Sequence, residues 1–147
     1  MADFFQNGVI TTLQNVGGRS LESMEADLME FAKRKNMVLL LPALYSEFET
    51  PAMQTIIDEL KDVAYLYKII LGLDQATYEQ FLEVKERMSV LKCDVEVLWN
   101  DGPHIKAIYK ELTDEGFPGL NTPGKGRNVW TMIVYCLTNH DNYAFAL

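Results

Sequence analysis

Two cysteines, two histidines and a shortage of positive charge mark what this 147-residue chain has little of. Cys93 and Cys136 lie far apart, with no Cys or His at metal-ligand spacing beside either. That leaves no basis for a zinc site or a disulfide framework, and both read as free or buried thiols in a reducing cytoplasm. Long apolar runs are missing too. Val38 to Leu44 falls far short of the ~20 residues that a bilayer span needs, so no membrane span is expected. The start, Met-Ala-Asp-Phe-Phe-Gln, lacks the basic and apolar regions of a signal peptide. With 13 basic against 21 acidic residues the formal charge is −8, and no basic face exists for nucleic acid. Lys33-Arg34-Lys35 reads instead as a helix end, where positive charge complements the macrodipole. No G-x-G-x-x-G is present, which excludes a dinucleotide fingerprint, and Ser46 lacks the G-x-S-x-G elbow of a hydrolase.

What is present suits one globular domain: 48% of residues are hydrophobic and 23% charged. After an irregular lead-in, Ser20 can cap a helix in which Leu21, Met24, Leu28, Phe31 and Ala32 recur at three-four spacing, ending at Asn36. Met37 to Leu41, followed by Pro42, reads as a strand buried on both faces. A polar segment around Ser46 leads to a helix opened by Thr50-Pro51, with Met53, Ile56, Ile57 and Leu60 inward. Strands are predicted at Lys68–Leu73, Val95–Trp99 and Tyr143–Leu147. Between them, helices carry Tyr78, Phe81, Val84 and Met88; Ile105, Ile108, Tyr109 and Leu112; and Val129, Met132, Ile133 and Cys136. This alternation predicts an α/β, Rossmann-like parallel sheet with right-handed crossovers and helices on both faces, preceded by an N-terminal helix. Trp99, Trp130 and Phe145 read as core, and His104 and His140 as surface.

Four places are candidates for chemistry. Gly119-Leu-Asn-Thr-Pro-Gly124-Lys125-Gly126 matches the start of a phosphate-cradling loop, but Gly126 replaces the Ser or Thr and a helix, not a strand, precedes it. The free N–H groups of the helix opening there, with Lys125 and Arg127, remain able to hold a phosphate; the alternative is a flexible loop with a cap glycine. Pro42-Ala43-Leu44-Tyr45-Ser46-Glu47 follows the first strand, where doubly wound sheets bind nucleotides. Glu47 and Glu49 there either receive ligand donors or serve the next helix electrostatically. Asp74 ends the second strand and suits a ribose or base contact as well as a helix cap. Asp101 reads as a turn residue before Gly102-Pro103.

Val38-Leu-Leu-Leu-Pro42-Ala43-Leu44 with Ser46-Glu47, Ile69-Ile-Leu-Gly-Leu-Asp74 and Gly124-Lys125-Gly126-Arg127-Asn128 together resemble GT-A-type, family 2-like glycosyltransferases, over residues 37–147. Within that group the chain looks most like glucosyl- or mannosyl-3-phosphoglycerate synthases. The resemblance implies a nucleotide-sugar site lined by Pro42, Ala43, Leu44 and Glu47, with Asp74 on uracil, guanine or ribose and Lys125 on base or diphosphate. It also implies transfer of a hexosyl group from a UDP- or GDP-sugar to a small acceptor such as a phosphoglycerate. Tyr45 and Ser46 depart from the family pattern.

The resemblance further implies Mg²⁺ or Mn²⁺ held by an Asp-x-Asp after the strand at Tyr143–Leu147, and that motif is absent from this chain. Residues 1–36 are accordingly expected to form a lead-in and helix. Residues 37–147 are expected to be the nucleotide-sugar-binding half of a domain truncated at its fourth strand, inactive alone. The terminal strand is expected to favour self-association or a second polypeptide. The alternative expectation is a non-catalytic nucleotide-sugar or phosphate-binding module acting through a partner.

Overall fold

The computed structural model describes residues 18–120, 122–139 and 143–146. In chain order the elements are α1 (Leu21–Ala32), β1 (Asn36–Leu44), α2 (Tyr45–Phe48), α3 (Pro51–Leu60), β2 (Leu66–Asp74), α4 (Tyr78–Met88), β3 (Asp94–Trp99), α5 (Pro103–Asp114), α6 (Lys125–Asn139) and β4 (Tyr143–Ala146). The four strands form one parallel sheet in the order β3-β2-β1-β4. The chain thus builds outward from β1 to β3 and then returns to the other side of β1. In such sheets the reversal leaves a crevice at the carboxyl ends of the strands.

Strand β2 is central and is buried without interruption from Lys68 to Asp74, as its near-continuous apolar run requires. Its residues alternate between two cores. Ile69, Leu71 and Leu73 join Ala43, Phe48, Met53, Ile57, Val84 and Met88 on the face covered by α2, α3 and α4. Ile70 joins Val38, Leu40, Leu98, Met132 and Cys136 on the face covered by α6. Each fully buried aliphatic side chain here stabilises the fold by about 1.5–3 kcal/mol. At the entering end of β2, the buried Lys68 ammonium bonds Asp94 at 2.7 Å and also pairs with Glu96, both on β3. Burial disfavours that charge, but together the two carboxylates hold the Lys68 pKa above its ordinary value.

Local chemistry sets most boundaries as expected. Ser20 Oγ accepts the Ser23 N–H at 3.2 Å to start α1. Pro51 and Pro103 sit in the first turns of α3 and α5. Thr77 and Gln80 close a reciprocal capping box at α4. The end of α5 is a Schellman arrangement: Phe117 N–H reaches Leu112 O at 2.9 Å across Gly116, whose φ is +89°.

Four differences from the sequence reading are informative. Helix α1 ends at Ala32, and Asn36 opens β1 by pairing with Tyr143 instead of ending the helix. Pro42, Ala43 and Leu44 belong to the strand, not to the loop after it, because they pair with Gly72, Leu73 and Asp74. Pro42 lacks the N–H for a second ladder, and the pairs of β1 with β4 among the described residues run from Asn36 to Leu39. The segment after β1 is itself helical, and α1 buries none of its apolar stripe, leaving Leu21 73% exposed. His140 and the side chain of Phe145 lie outside the described residues.

The second core closes through an absence. A Cβ built on Gly72 would lie 1.8 Å from Asn128 Oδ1 and 2.9 Å from Met132 Sδ, so only glycine lets α6 lie on β2 at this height. Gly72→Ala is expected to lower stability by about 2 kcal/mol, within the usual cost of overpacking. Urea denaturation measures this. The double variant Gly72→Ala, Asn128→Ala should recover part of the loss, since it removes the nearest obstructing atom.

Candidate functional site

The carboxyl ends of β1 and β2 and the first turn of α6 enclose a cleft of about 270 Å³. Its wall consists of Pro42, Ala43, Leu44, Glu47, Asp74, Gln75, Gly124, Lys125 and Asn128. All six residues singled out in the sequence for a nucleotide site (Pro42, Ala43, Leu44, Glu47, Asp74 and Lys125) therefore meet on one surface. They come from three separate segments. The β1–β2 register brings two of these together, with Leu44 opposite Asp74. The third arrives because α6 crosses over Gly72.

Each acidic group is already partly engaged. Glu47 Oε2 accepts the Leu44 N–H at 2.8 Å, folding the carboxylate back onto the start of α2. Asp74 is 2% exposed, and its Oδ1 takes a hydrogen bond and ion pair of 2.9 Å from Arg127 Nη2. This settles the two uses left open for Asp74 against helix capping, since Thr77 caps α4. It also corrects the view of Arg127 as a cation for phosphate: that guanidinium is spent on Asp74, its side chain only 9% exposed. Lys125 is exposed at the rim and has no ion pair among the described residues. As the helix entrance, the α6 N-terminus adds N–H groups without intrahelical partners, and Asn128 N–H returns to Gly124 O at 3.1 Å.

The turn after Asp74 is strained and braced. Gln75 takes φ +57°, an uncommon conformation for a residue with a Cβ. Three bonds fix the chain on either side of it. Ala76 N–H donates to Asp101 Oδ2 at 3.1 Å, Trp99 Nε1 donates to Ala76 O at 2.9 Å, and Asn100 N–H donates to Leu73 O at 2.9 Å. Asp101 thus braces the turn after β2, a contact beyond the local turn role before Gly102-Pro103 that its position suggests. Trp99 is half-buried and stacks on Phe81 at 5.4 Å.

Behind the cleft lies a polar layer that sequence reasoning missed. The Arg127 guanidinium lies over the Tyr109 ring at 4.7 Å, and the Tyr109 hydroxyl bonds Asn100 Oδ1 at 3.1 Å and Thr131 Oγ1 at 2.7 Å. Asn128 Nδ2 donates to Gly72 O at 2.7 Å, which fixes its amide orientation. Tyr109 had been assigned only to the apolar face of its helix. The one available signal was Gly72 itself, since a glycine inside a strand marks a close approach by another group.

No cluster of three or more His, Cys, Asp or Glu side chains able to hold a metal occurs among the described residues. Glu47 and Asp74 each use one oxygen internally, at Leu44 N–H and Arg127 Nη2. No helix among the described residues is long and apolar enough to cross a membrane. Burial raises the Tyr109 pKa above its ordinary value, only partly offset by the bond to Thr131 and by the Arg127 charge. A raised value means that its contribution to stability is intact below the unfolded pKa of about 10 and is lost as pH climbs through the folded one. Tyr109→Phe should cost about 1–2 kcal/mol in urea unfolding at neutral pH. It should also remove one late-titrating phenol from the alkaline absorbance curve.

The chain is 60% identical over all its 147 residues to a glucosyl-3-phosphoglycerate synthase of Persephonella marina, covering 36% of that protein. It is 35% identical over 109 residues to a glucosyl-3-phosphoglycerate synthase of Methanococcoides burtonii, a match covering 70% of the chain and 27% of that protein. No model of a protein family matches the chain, and no solved structure does. The matches span about a third of the first relative's length and about a quarter of the second's. The glycosyltransferase resemblance carried by three short segments therefore holds, and from end to end the chain is similar to part of a glucosyl-3-phosphoglycerate synthase.

Proposed function

We propose that the cleft binds the nucleoside diphosphate of a UDP- or GDP-sugar, and that the chain forms the donor-binding part of a GT-A-type enzyme. That enzyme would transfer a hexosyl group to a small phosphorylated acceptor such as 3-phosphoglycerate. The observation that carries this reading is the meeting of Pro42, Ala43, Leu44, Glu47, Asp74 and Lys125 on one wall at the turn-back point of a parallel sheet. The relatives' names support the substrate class.

In this reading Ala43 and Leu44 give the base an apolar wall. Asp74 accepts from base or ribose donors, and Lys125 with the α6 N-terminus meets base oxygens or the diphosphate. In the reaction the bond from the anomeric carbon to the diphosphate oxygen breaks. A bond to the acceptor oxygen forms, the hydroxyl proton leaves to a base, and the nucleoside diphosphate departs with the electron pair. The cleft residues bind and orient the leaving nucleotide. The divalent cation implied by the resemblance would take its ligands from outside the described residues.

Calorimetric titration with UDP-glucose and GDP-glucose tests the reading. Binding is expected with at least one of them. Lys125→Ala and Asp74→Asn should each weaken it about tenfold, the scale of one lost charge-assisted hydrogen bond. No heat at millimolar ligand would overturn the proposal.

A further inference from the structure

The sequence marks Gly119 to Gly126 as a possible phosphate loop, yet the structure gives the arginine beyond it a different task. Arg127 touches four elements at once. Nη2 holds Asp74 at the end of β2, and Nη1 donates to Leu120 O in the glycine-rich loop at 3.4 Å. Its guanidinium face lies on Tyr109 of α5, and its own carbonyl accepts from Thr131 Oγ1 at 2.9 Å within α6. Tyr109 is in turn fixed through its hydroxyl to Asn100 and Thr131. The guanidinium is therefore held on its face and at both ends, while Nε is buried with no partner among the described residues. A side-on bidentate pair through Nε and Nη2 would have satisfied Nε, and bidentate pairs are the stronger arrangement. The observed end-on contact gives up that bond and points one carboxylate oxygen of Asp74 at Arg127.

We propose that Arg127 is a positioning residue of the nucleotide site, acting through Asp74. It holds that carboxylate and the glycine-rich loop in the arrangement that receives the nucleoside. This rests on the nucleotide-binding reading above. A lysine cannot replace it, because an ammonium offers neither the flat face that lies on Tyr109 nor two ends spaced to reach Asp74 and Leu120 together.

The test is a double-mutant cycle on nucleotide affinity, with UDP and GDP titrated calorimetrically into the wild-type chain, Asp74→Asn, Arg127→Lys and the double variant. Near-ultraviolet circular dichroism and urea midpoints check that each is folded. Each single change is expected to weaken binding about tenfold, a loss of about 1.4 kcal/mol. The double variant should bind within about twofold of Asp74→Asn alone, since groups acting through one another are not additive. Wild-type affinity in Arg127→Lys would overturn the proposal. So would losses that multiply to about a hundredfold in the double variant, because a residue serving only the fold would add its effect independently. If Arg127→Lys does not fold, Arg127→Gln in the Asp74→Asn background removes both charges together, and the same criterion applies to it. A wild-type chain that binds neither nucleotide would instead sink the nucleotide-binding reading. The wild-type isotherm and the variant ratios thus separate the two failures.

Discussion

The missing side chain at Gly72 is the constraint from which the site follows. With any Cβ there, Asn128 and Met132 would be pushed off β2, and the first turn of α6 would lift with them. That turn carries Gly124 and Lys125 to the cleft and Arg127 to Asp74. The contact is not merely permissive. Asn128 Nδ2 bonds the Gly72 carbonyl, so the residue that requires the glycine also ties the helix to its backbone. One position in a central strand thereby sets the height of a helix and, through it, the geometry of three cleft residues.

Beside that contact lies a largely buried ion pair, its guanidinium 9% and its carboxylate 3% exposed. Removing two charges from solvent costs several kcal/mol, and a buried pair often stabilises a fold no better than apolar residues would. Its presence here has a different justification. Asp74 stands at a strand end where a carboxylate is useful to a ligand, and Arg127 lets that charge exist in a dry place. The surrounding turn is built to match. Gln75 holds an uncommon backbone conformation, and bonds from Trp99 and Asn100 with one to Asp101 keep it there. Local strain of this kind persists where its surroundings over-determine it, which is typical of binding sites.

The sheet was legible because its signals are local and periodic. The continuous apolar run at β2 and the Pro and Thr marks at helix starts are read within a few residues. The six cleft residues were legible for another reason: their segments resemble a known pattern, and the parallel sheet brings strand ends together. What the sequence did not disclose depends on three-dimensional accidents of approach. Neither the spacing of Arg127 and Asp74 nor that of Tyr109 and Asn100 hints that they touch. Arg127 therefore looked like a free cation, though it is neutralised. The α1 stripe misled in the opposite sense, since helical periodicity reports an apolar face and not what covers it. Pro42 looked like the end of a strand because a proline ends most ladders. It sits inside this one, opposite Gly72 of β2.

The charges around the cleft carry the argument one step further. Glu47 and Asp74 oppose Lys125 and Arg127, so the four side chains cancel, and the chain as a whole is strongly acidic. A diphosphate entering this surface meets one uncommitted cation and a helix N-terminus, too little to neutralise it fully. If the cleft binds a nucleotide as proposed, recognition by these residues would lean on the nucleoside, through the apolar wall of Ala43 and Leu44 and the acceptor at Asp74. Stabilising the charge that develops on the leaving diphosphate calls for positive charge from beyond this wall. Under the proposed reading the division is physically sensible: a neutral, pre-braced pocket would select the nucleotide, and the groups that face the breaking bond would be set elsewhere.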